Sequence, residues 1–458
     1  METPSGHDLS AIDAAPLGGY QIAIVVICFV VAMVDGFDTQ AIAMVAPDIA
    51  KAWDTPIAAF GPVFGAGLLG GMLGGFVAGD LADRFGRKPS LIASMLIFGI
   101  GSLVTPMAAS LNEMMLMRFI TGLGLGGALP SFVALTAEFT PRRMRATLVS
   151  AMYCGFPFGA SIGAVASAWA LPRYGWQSLF VAGGLIPLGM LPVVIFMLPE
   201  SLGFLHARNR IASITRIAKR LGLRNDQLGD GRNLHDERPR DVLLGVGGLF
   251  RSGRAPGTLL LWVTFFLSLL VSLLLVNWLP SVTRSAGLAT EGAVGVVAVL
   301  NIGSIVGCMV LSRFIERLGP YVVIGAGYTI GAFAVMAIGW AGASVAAVFT
   351  SVFIAGFFSI GAQLCVVALA AVYYPSEIRA TGVGWTMGIG RIGAVVGPIV
   401  GGLLVGSEGS SLGLFAFAAL SSVLAAATVA LMGALERKSR KSRQAFDISG
   451  AFSSAKDR

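Results

Sequence analysis

Twelve apolar runs, at 20–46, 57–79, 90–109, 114–139, 147–171, 176–198, 257–280, 292–312, 320–341, 344–372, 382–405 and 410–435, constrain this chain more than anything else in it. Runs of about 20 residues match the hydrocarbon thickness of a bilayer, and a helix there satisfies its own backbone hydrogen bonds. The pattern implies an all-α polytopic membrane protein with twelve transmembrane helices. Only 12% of the 458 residues are charged and 55% are hydrophobic, against about 25% charged in an ordinary soluble domain. A water-facing surface made from such a chain would expose large apolar patches. The sequence therefore argues against a soluble enzyme, a disordered tail or a secreted disulfide scaffold.

The first nineteen residues contain acids but no Lys or Arg. The positive region of a cleavable signal peptide is missing, and the first span is expected to act as its own insertion signal. All four cysteines, Cys28, Cys154, Cys308 and Cys365, fall inside apolar runs without disulfide or zinc spacing. The three histidines, His7, His206 and His235, lie outside the runs. Neither a metal site nor a histidine proton relay at membrane depth is expected.

Basic residues set the orientation, because cytoplasmic loops retain Lys and Arg. With the N-terminus inside, the cytoplasmic segments hold 27 of the 32 basic residues, and the opposite side holds Lys51, Arg173 and Arg284. Both termini and the central segment are expected in the cytoplasm. This asymmetry accounts for the net charge of +8 without a nucleic-acid partner. The division is a tail over 1–19, six spans over 20–198, a linker over 199–256, six spans over 257–435 and a basic tail over 436–458 that rests against anionic lipid. Within the linker, Ile211, Ile214, Ile217 and Leu221 recur at helical spacing among Arg208, Arg210, Arg216, Lys219 and Arg220. That is the pattern of an amphipathic helix on the inner leaflet; a regulatory partner site is the alternative.

The two sets of spans are an internal repeat. Residues 134–147 align without gaps on 368–381, so that Pro141, Arg145, Ala146 and Thr147 fall on Pro375, Arg379, Ala380 and Thr381, an offset of 234. Residues 79–86 align on 312–319 at an offset of 233. Two six-helix bundles related by a parallel repeat are implied, a pair able to rock about a site at their interface.

Only five charged residues lie within the runs: Asp35, Asp38, Arg118, Glu138 and Arg391. Charge at that depth is costly and must face a partner or a cavity. The first span runs outward and the fourth inward, which puts Asp38 and Arg118 in the same outer half as a candidate ion pair. Asp35 lies one turn deeper on the same face. Two carboxylates so close repel each other when ionised, which makes a coupled proton site of the cluster. Asp38 would exchange a proton as the Arg118 pair forms and breaks, with Asp35 sharing the titration or touching substrate. The alternative is a salt bridge that only locks helices.

Arg391 lies near the midplane of the eleventh span, and a substrate carboxylate would supply the anion it needs through a bidentate contact. A link to backbone carbonyls or to Asp35 is the other reading. Under the repeat offsets Asp38 maps near Val271, Arg118 near Val352 and Arg391 onto Pro157. Proton chemistry would be N-terminal and anion recognition C-terminal. Tyr153, Asn277, Trp278, Asn301, Gln363 and Trp385 are further candidates to line the cavity, by stacking on an aromatic ring or binding its hydroxyls. Gly67, Gly71, Gly75 and Gly79 form a small-residue stripe for close helix packing. Residues 122–126 sit in an apolar helix and no Walker lysine occurs, which argues against an ATP-driven pump. Asp83, Arg84, Arg87 and Lys88, with Glu138 and Arg145, form a candidate charge latch at the inner gate, and Glu377 and Arg379 are its C-terminal counterpart.

The segment Gly79-Asp80-Leu81-Ala82-Asp83-Arg84-Phe85-Gly86-Arg87-Lys88 resembles the loop signature between spans two and three of the major facilitator superfamily of secondary transporters, and 312–319 resembles its degenerate second copy. Asp35-Gly36-Phe37-Asp38-Thr39, residues 118–127 and Gly390-Arg391-Ile392-Gly393 are similar to the aromatic acid:proton symporters of that superfamily, relatives of bacterial 4-hydroxybenzoate and protocatechuate importers. The resemblance covers essentially the whole chain. It implies the major facilitator fold, a bacterial inner-membrane location, and import of an aromatic carboxylate by proton symport in aromatic hydrocarbon catabolism. It also implies that these acids are essential and that the proton is the coupling ion with no other cofactor; a monomer in the bilayer is expected, though nothing in the sequence fixes the oligomeric state. Proton-driven efflux of drugs or metabolites stays open, since 393–402 resembles an antiporter glycine-proline motif outside its usual fifth span. A non-transporting membrane sensor or channel is the third reading.

Overall fold

The computed structural model describes residues 17–221, 246–251, 253–342, 344–374, 379–406 and 412–456. Among them no strand occurs, and twelve helices are long and apolar enough to cross a membrane: span 1 (Gly19–Ala52), span 2 (Ile57–Ala82), span 3 (Arg87–Met107), span 4 (Leu111–Phe139), span 5 (Thr147–Tyr174), span 6 (Gln177–Met197), span 7 (Ala255–Ser285), span 8 (Gly292–Ile315), span 9 (Pro320–Trp340), span 10 (Val345–Val366), span 11 (Gly382–Gly406) and span 12 (Leu412–Arg437). Each apolar run is recovered as one span.

Local departures have causes in the sequence. Span 5 is broken at Cys154, between helices Arg142–Tyr153 and Gly155–Tyr174. Pro157 has no N–H for the Tyr153 carbonyl, and its ring crowds that position. Span 10 contains a π turn at Gly356–Ile360, where Gly356 lets the Leu300 carbonyl of span 8 approach. The helix of span 12 continues to Lys456, through the stretch expected to be a tail; no proline interrupts it.

The internal repeat is visible in the packing. Span 2 crosses span 4 at Gly70 and Gly74, where a Cβ would collide with the carbonyls of Phe119 and Leu123. Span 8 crosses span 10 at Gly303 and Gly307, against the carbonyls of Phe353 and Phe357. Every residue of the second set is one of the first shifted by 233 or 234. The turns after spans 2 and 8 match as well: Gly86 and Gly319 have φ of 108° and 85°, a conformation that favours glycine.

The apolar core is divided unevenly between the two ends. At the end away from the linker, one cluster joins both halves, with Met44, Phe60, Phe64 and Phe180 from the first and Leu274, Trp278, Val297 and Phe415 from the second. At the linker end there are two clusters. One contains Ile24, Phe98, Phe132 and Phe139, and the other Phe265, Tyr328, Val366 and Tyr374. Among the described residues the halves therefore share an apolar core only at the far end. The linker forms a helix over Ile211–Arg220, whose Ile214 and Ile217 pack into the first-half cluster, while Arg208, Arg210, Arg216, Lys219 and Arg220 stay exposed.

Candidate transport site

The first-half bundle encloses a charged node. Arg118 Nη1 of span 4 donates to Asp38 Oδ2 of span 1 at 3.2 Å, and the two residues are 4% and 0% exposed. Span 3 completes the shell. Ser102 Oγ lies 2.6 Å from Asp38 Oδ1 and 3.1 Å from the Phe180 carbonyl. Arg118 Nη2 donates to Thr105 Oγ1 at 2.9 Å and to Thr121 Oγ1 at 3.1 Å. Those threonines accept because their own hydroxyl hydrogens go to the Gly101 and Met117 carbonyls, each at 2.8 Å. The guanidinium lies 4.7 Å from the centre of the Phe180 ring, a cation–π contact. Gly183 leaves the room; a Cβ there would come within 2.8 Å of Asp38 Oδ1.

Asp35 does not join that pair. It is buried and accepts from Thr39 Oγ1 at 3.2 Å, and it lies within electrostatic reach of Arg391 and of Tyr153. Arg391 Nη1 donates to the Gly71 carbonyl of span 2 at 3.1 Å, so the guanidinium bridges the halves. The glycine stripe has two uses here: Gly71 also packs on Gly126 of span 4, while Gly75 leaves space beside Arg391. Tyr153 stands at the break in span 5, so Asp35 of span 1, Tyr153 of span 5 and Arg391 of span 11 lie within electrostatic range of one another.

Other candidates lie elsewhere. Asn301 of span 8 pairs with Gln40 of span 1. Asn277 is buried and donates to its own helix at the Leu273 carbonyl, 2.7 Å away. Trp278 is enclosed, donating to the Pro398 carbonyl at 2.9 Å, and Gln363 is buried in span 10 beyond the π turn. Trp385 lies toward the linker end, stacked on Trp262 with ring centres 5.9 Å apart. Among the described residues, none of these five hydrogen-bonds to Arg391.

At the linker end, the charged loop ties the first half to itself. Arg87 pairs with Glu138, which also accepts from Ser201 Oγ at 3.0 Å and the Leu202 amide at 3.1 Å. Glu200 accepts from the Arg87 and Lys88 amides at 2.8 and 3.2 Å, an acid at the N-terminus of span 3 where the helix dipole favours it. Lys88 Nζ donates to the Ile195 carbonyl at 2.6 Å. Arg84 pairs with Asp80 one turn away in an exposed contact. Asp83, Arg145 and Arg379 sit in helices, but their side chains, and all of Glu377, lie outside the described residues. Glu200 is not among the sequence candidates; an acid eight residues before the first arginine of the linker carries no spacing signal.

At the far end Arg284 Nη2 of span 7 meets Asp48 Oδ1 of span 1 at 2.8 Å. This ion pair joins the halves. Asp48 shares the outer tip of span 1 with Lys51, so the sequence alone does not single it out as the partner of Arg284.

A family model described as the Major Facilitator Superfamily matches residues 28–390 and 302–456. The chain belongs to the major facilitator superfamily. Among curated relatives it is 37% identical to the 4-hydroxybenzoate transporter PcaK of Pseudomonas aeruginosa, over 92% of this chain and 94% of that one. It is 38% identical to a gallate transporter of Pseudomonas putida, over 90% and 93%, and 34% identical to the 3-(3-hydroxy-phenyl)propionate transporter of Escherichia coli, over 90% and 94%. In fold it is similar to the inward open xylose transporter XylE of Escherichia coli, with a TM-score of 0.71 at 16% identity over 89% and 94% of the chains. This superfamily member is a multi-pass membrane transporter, not an enzyme.

Proposed function

We propose that this protein imports an aromatic carboxylate of the hydroxybenzoate class by alternating access, with the proton as coupling ion and the linker end in the cytoplasm. The observation that carries the reading is Arg391, a guanidinium at mid-depth between the halves that has a backbone carbonyl as its hydrogen-bond partner. A carboxylate would take two parallel N–H donors from it, which the single carbonyl does not. Tyr153 offers a ring and a hydroxyl to an aromatic substrate. Full-length relatives named for 4-hydroxybenzoate and gallate support the substrate class.

The Asp38–Arg118 node supplies the coupling in this reading. Ionised Asp38 holds Arg118; a proton on Asp38 weakens that attraction, and the buried guanidinium must then find other partners. Such a change alters the packing of spans 1, 3, 4 and 6 together, and Asp35, on the same helix as Asp38, carries it to the Arg391 group. Among the described residues the apolar core is shared at the far end and divided at the linker end, which supports a state closed outside and parted toward the linker. The basic residues along that end support a cytoplasmic placement.

The test is uptake of radiolabelled 4-hydroxybenzoate into proteoliposomes under an imposed inward proton gradient, with other aromatic acids as competitors. Accumulation that collapses on adding a protonophore is expected. Uptake of no aromatic acid would overturn the substrate class, and uptake indifferent to the gradient would overturn the coupling.

A further inference from the structure

We propose that Gln40 and Asn301 recognise the ring hydroxyl of the substrate, and that their mutual pairing closes the site once the substrate has left. The proposal rests on the aromatic-acid reading above and names a part of its binding site. Gln40 belongs to span 1 and Asn301 to span 8, so the pair spans the two halves. Asn301 Nδ2 donates to Gln40 Oε1 at 3.0 Å, and Gln40 Nε2 points back to Asn301 Oδ1 at 3.4 Å. Both residues are buried. Asn301 also donates to the Val297 carbonyl of its own helix at 2.9 Å, which fixes its amide plane.

Alternating access requires the far end to open, and opening separates span 1 from span 8. Each amide then loses a partner that it cannot replace from its apolar neighbours, and an unpaired buried amide is costly. A phenolic hydroxyl suits the gap, since its O–H donates to Gln40 Oε1 while its lone pair accepts from Asn301 Nδ2. Gln40 is five residues beyond Asp35 along span 1, a rise of about 7.5 Å toward the far end with a turn of about 140° around the helix, so the amides lie outward of the Arg391 group. A substrate anchored by its carboxylate on Arg391, beside Asp35, would present its hydroxyl to the amides. After release toward the linker the amides meet again. The part-exposed Asp48–Arg284 contact seals the halves further out.

Equilibrium binding of 4-hydroxybenzoate and of benzoate to the purified full-length protein tests this. The wild type is expected to prefer the hydroxylated acid. Gln40→Ala and Asn301→Ala are each expected to weaken 4-hydroxybenzoate about tenfold or more while leaving benzoate little changed, because a site built around a hydroxyl loses discrimination when its partner is removed. Gln40→Leu keeps the volume and decides the matter if the smaller side chain impairs folding. A parallel loss for both acids, or no loss for either, would overturn the hydroxyl role and leave the pair as a gate alone. A wild type that binds aromatic acids with no preference for the hydroxyl defeats this proposal and spares the transport reading; a wild type that binds none defeats both.

Discussion

The Asp38 node and its counterpart in the second half occupy the same place in two copies of one six-helix unit and are chemically opposite. Shifted by 233 or 234, Asp38 becomes Val271, Ser102 becomes Val335, Thr105 becomes Ile338, Arg118 becomes Val352 and Thr121 becomes Ala355. All five of these apolar residues are buried in the far-end core. The glycine crossings of span 2 on 4 and of span 8 on 10 coincide, so the scaffold packs at this place without charges. Replacing a buried ion pair by fitted hydrocarbon is often neutral or stabilising, by about 1–4 kcal/mol. The first half keeps its pair against that trend. A brace would not require this, whereas a switchable charge would.

Arg118→Leu leaves Asp38 buried without its cation, and a loss of about 3–5 kcal/mol in stability is expected, together with loss of transport; thermal unfolding of the purified protein and uptake measure the two. The crossings should instead respond alike in both halves. Gly74→Val and Gly307→Val each drive a side chain into a neighbouring carbonyl, and each is expected to cost about 1–3 kcal/mol in the same unfolding assay. Unequal costs would mean that the repeat is less symmetric than its geometry.

The second half is sharpened at Arg391. Arg391→Lys retains the charge but not the planar fork, and a rise of about tenfold in the KM for 4-hydroxybenzoate, or about 1.4 kcal/mol, is expected with coupling intact. The smallest effect belongs to the outer contact between the halves. Asp48→Asn removes a part-exposed ion pair, worth about 1 kcal/mol or less. Its expected signature is a faster exchange in counterflow with little change in melting temperature.

Much of this was legible in the sequence for definite reasons. Bilayer thickness fixes the length of an apolar run, so the twelve spans could be marked out; charge inside a span is rare enough that depth alone paired Asp38 with Arg118. The hydroxyl shell was not legible. Thr105 and Thr121 look like any threonine of an apolar helix, bonding back to a carbonyl one turn earlier, and only the rotation of spans 3 and 4 aims their lone pairs at Arg118. Gln40 and Asn301 are 261 residues apart and answer to no repeat offset. The stacking of Trp385 on Trp262 was not legible either, since the two lie 123 residues apart in spans 11 and 7. The break at Cys154 is legible in Pro157, whose missing N–H leaves the Tyr153 carbonyl without its helical partner.

We assign the proton to the first-half ion pair and the anion to the second-half guanidinium. The double variant Asp38→Val and Arg118→Val, reconstituted beside the wild type, makes the first half resemble the second. Proton entry and 4-hydroxybenzoate entry are then followed together in the same liposomes. The expected result is a folded variant that still exchanges 4-hydroxybenzoate in counterflow but moves no protons with it, while the wild type moves both. A double variant that still brings in protons with substrate would contradict the assignment of coupling to this pair.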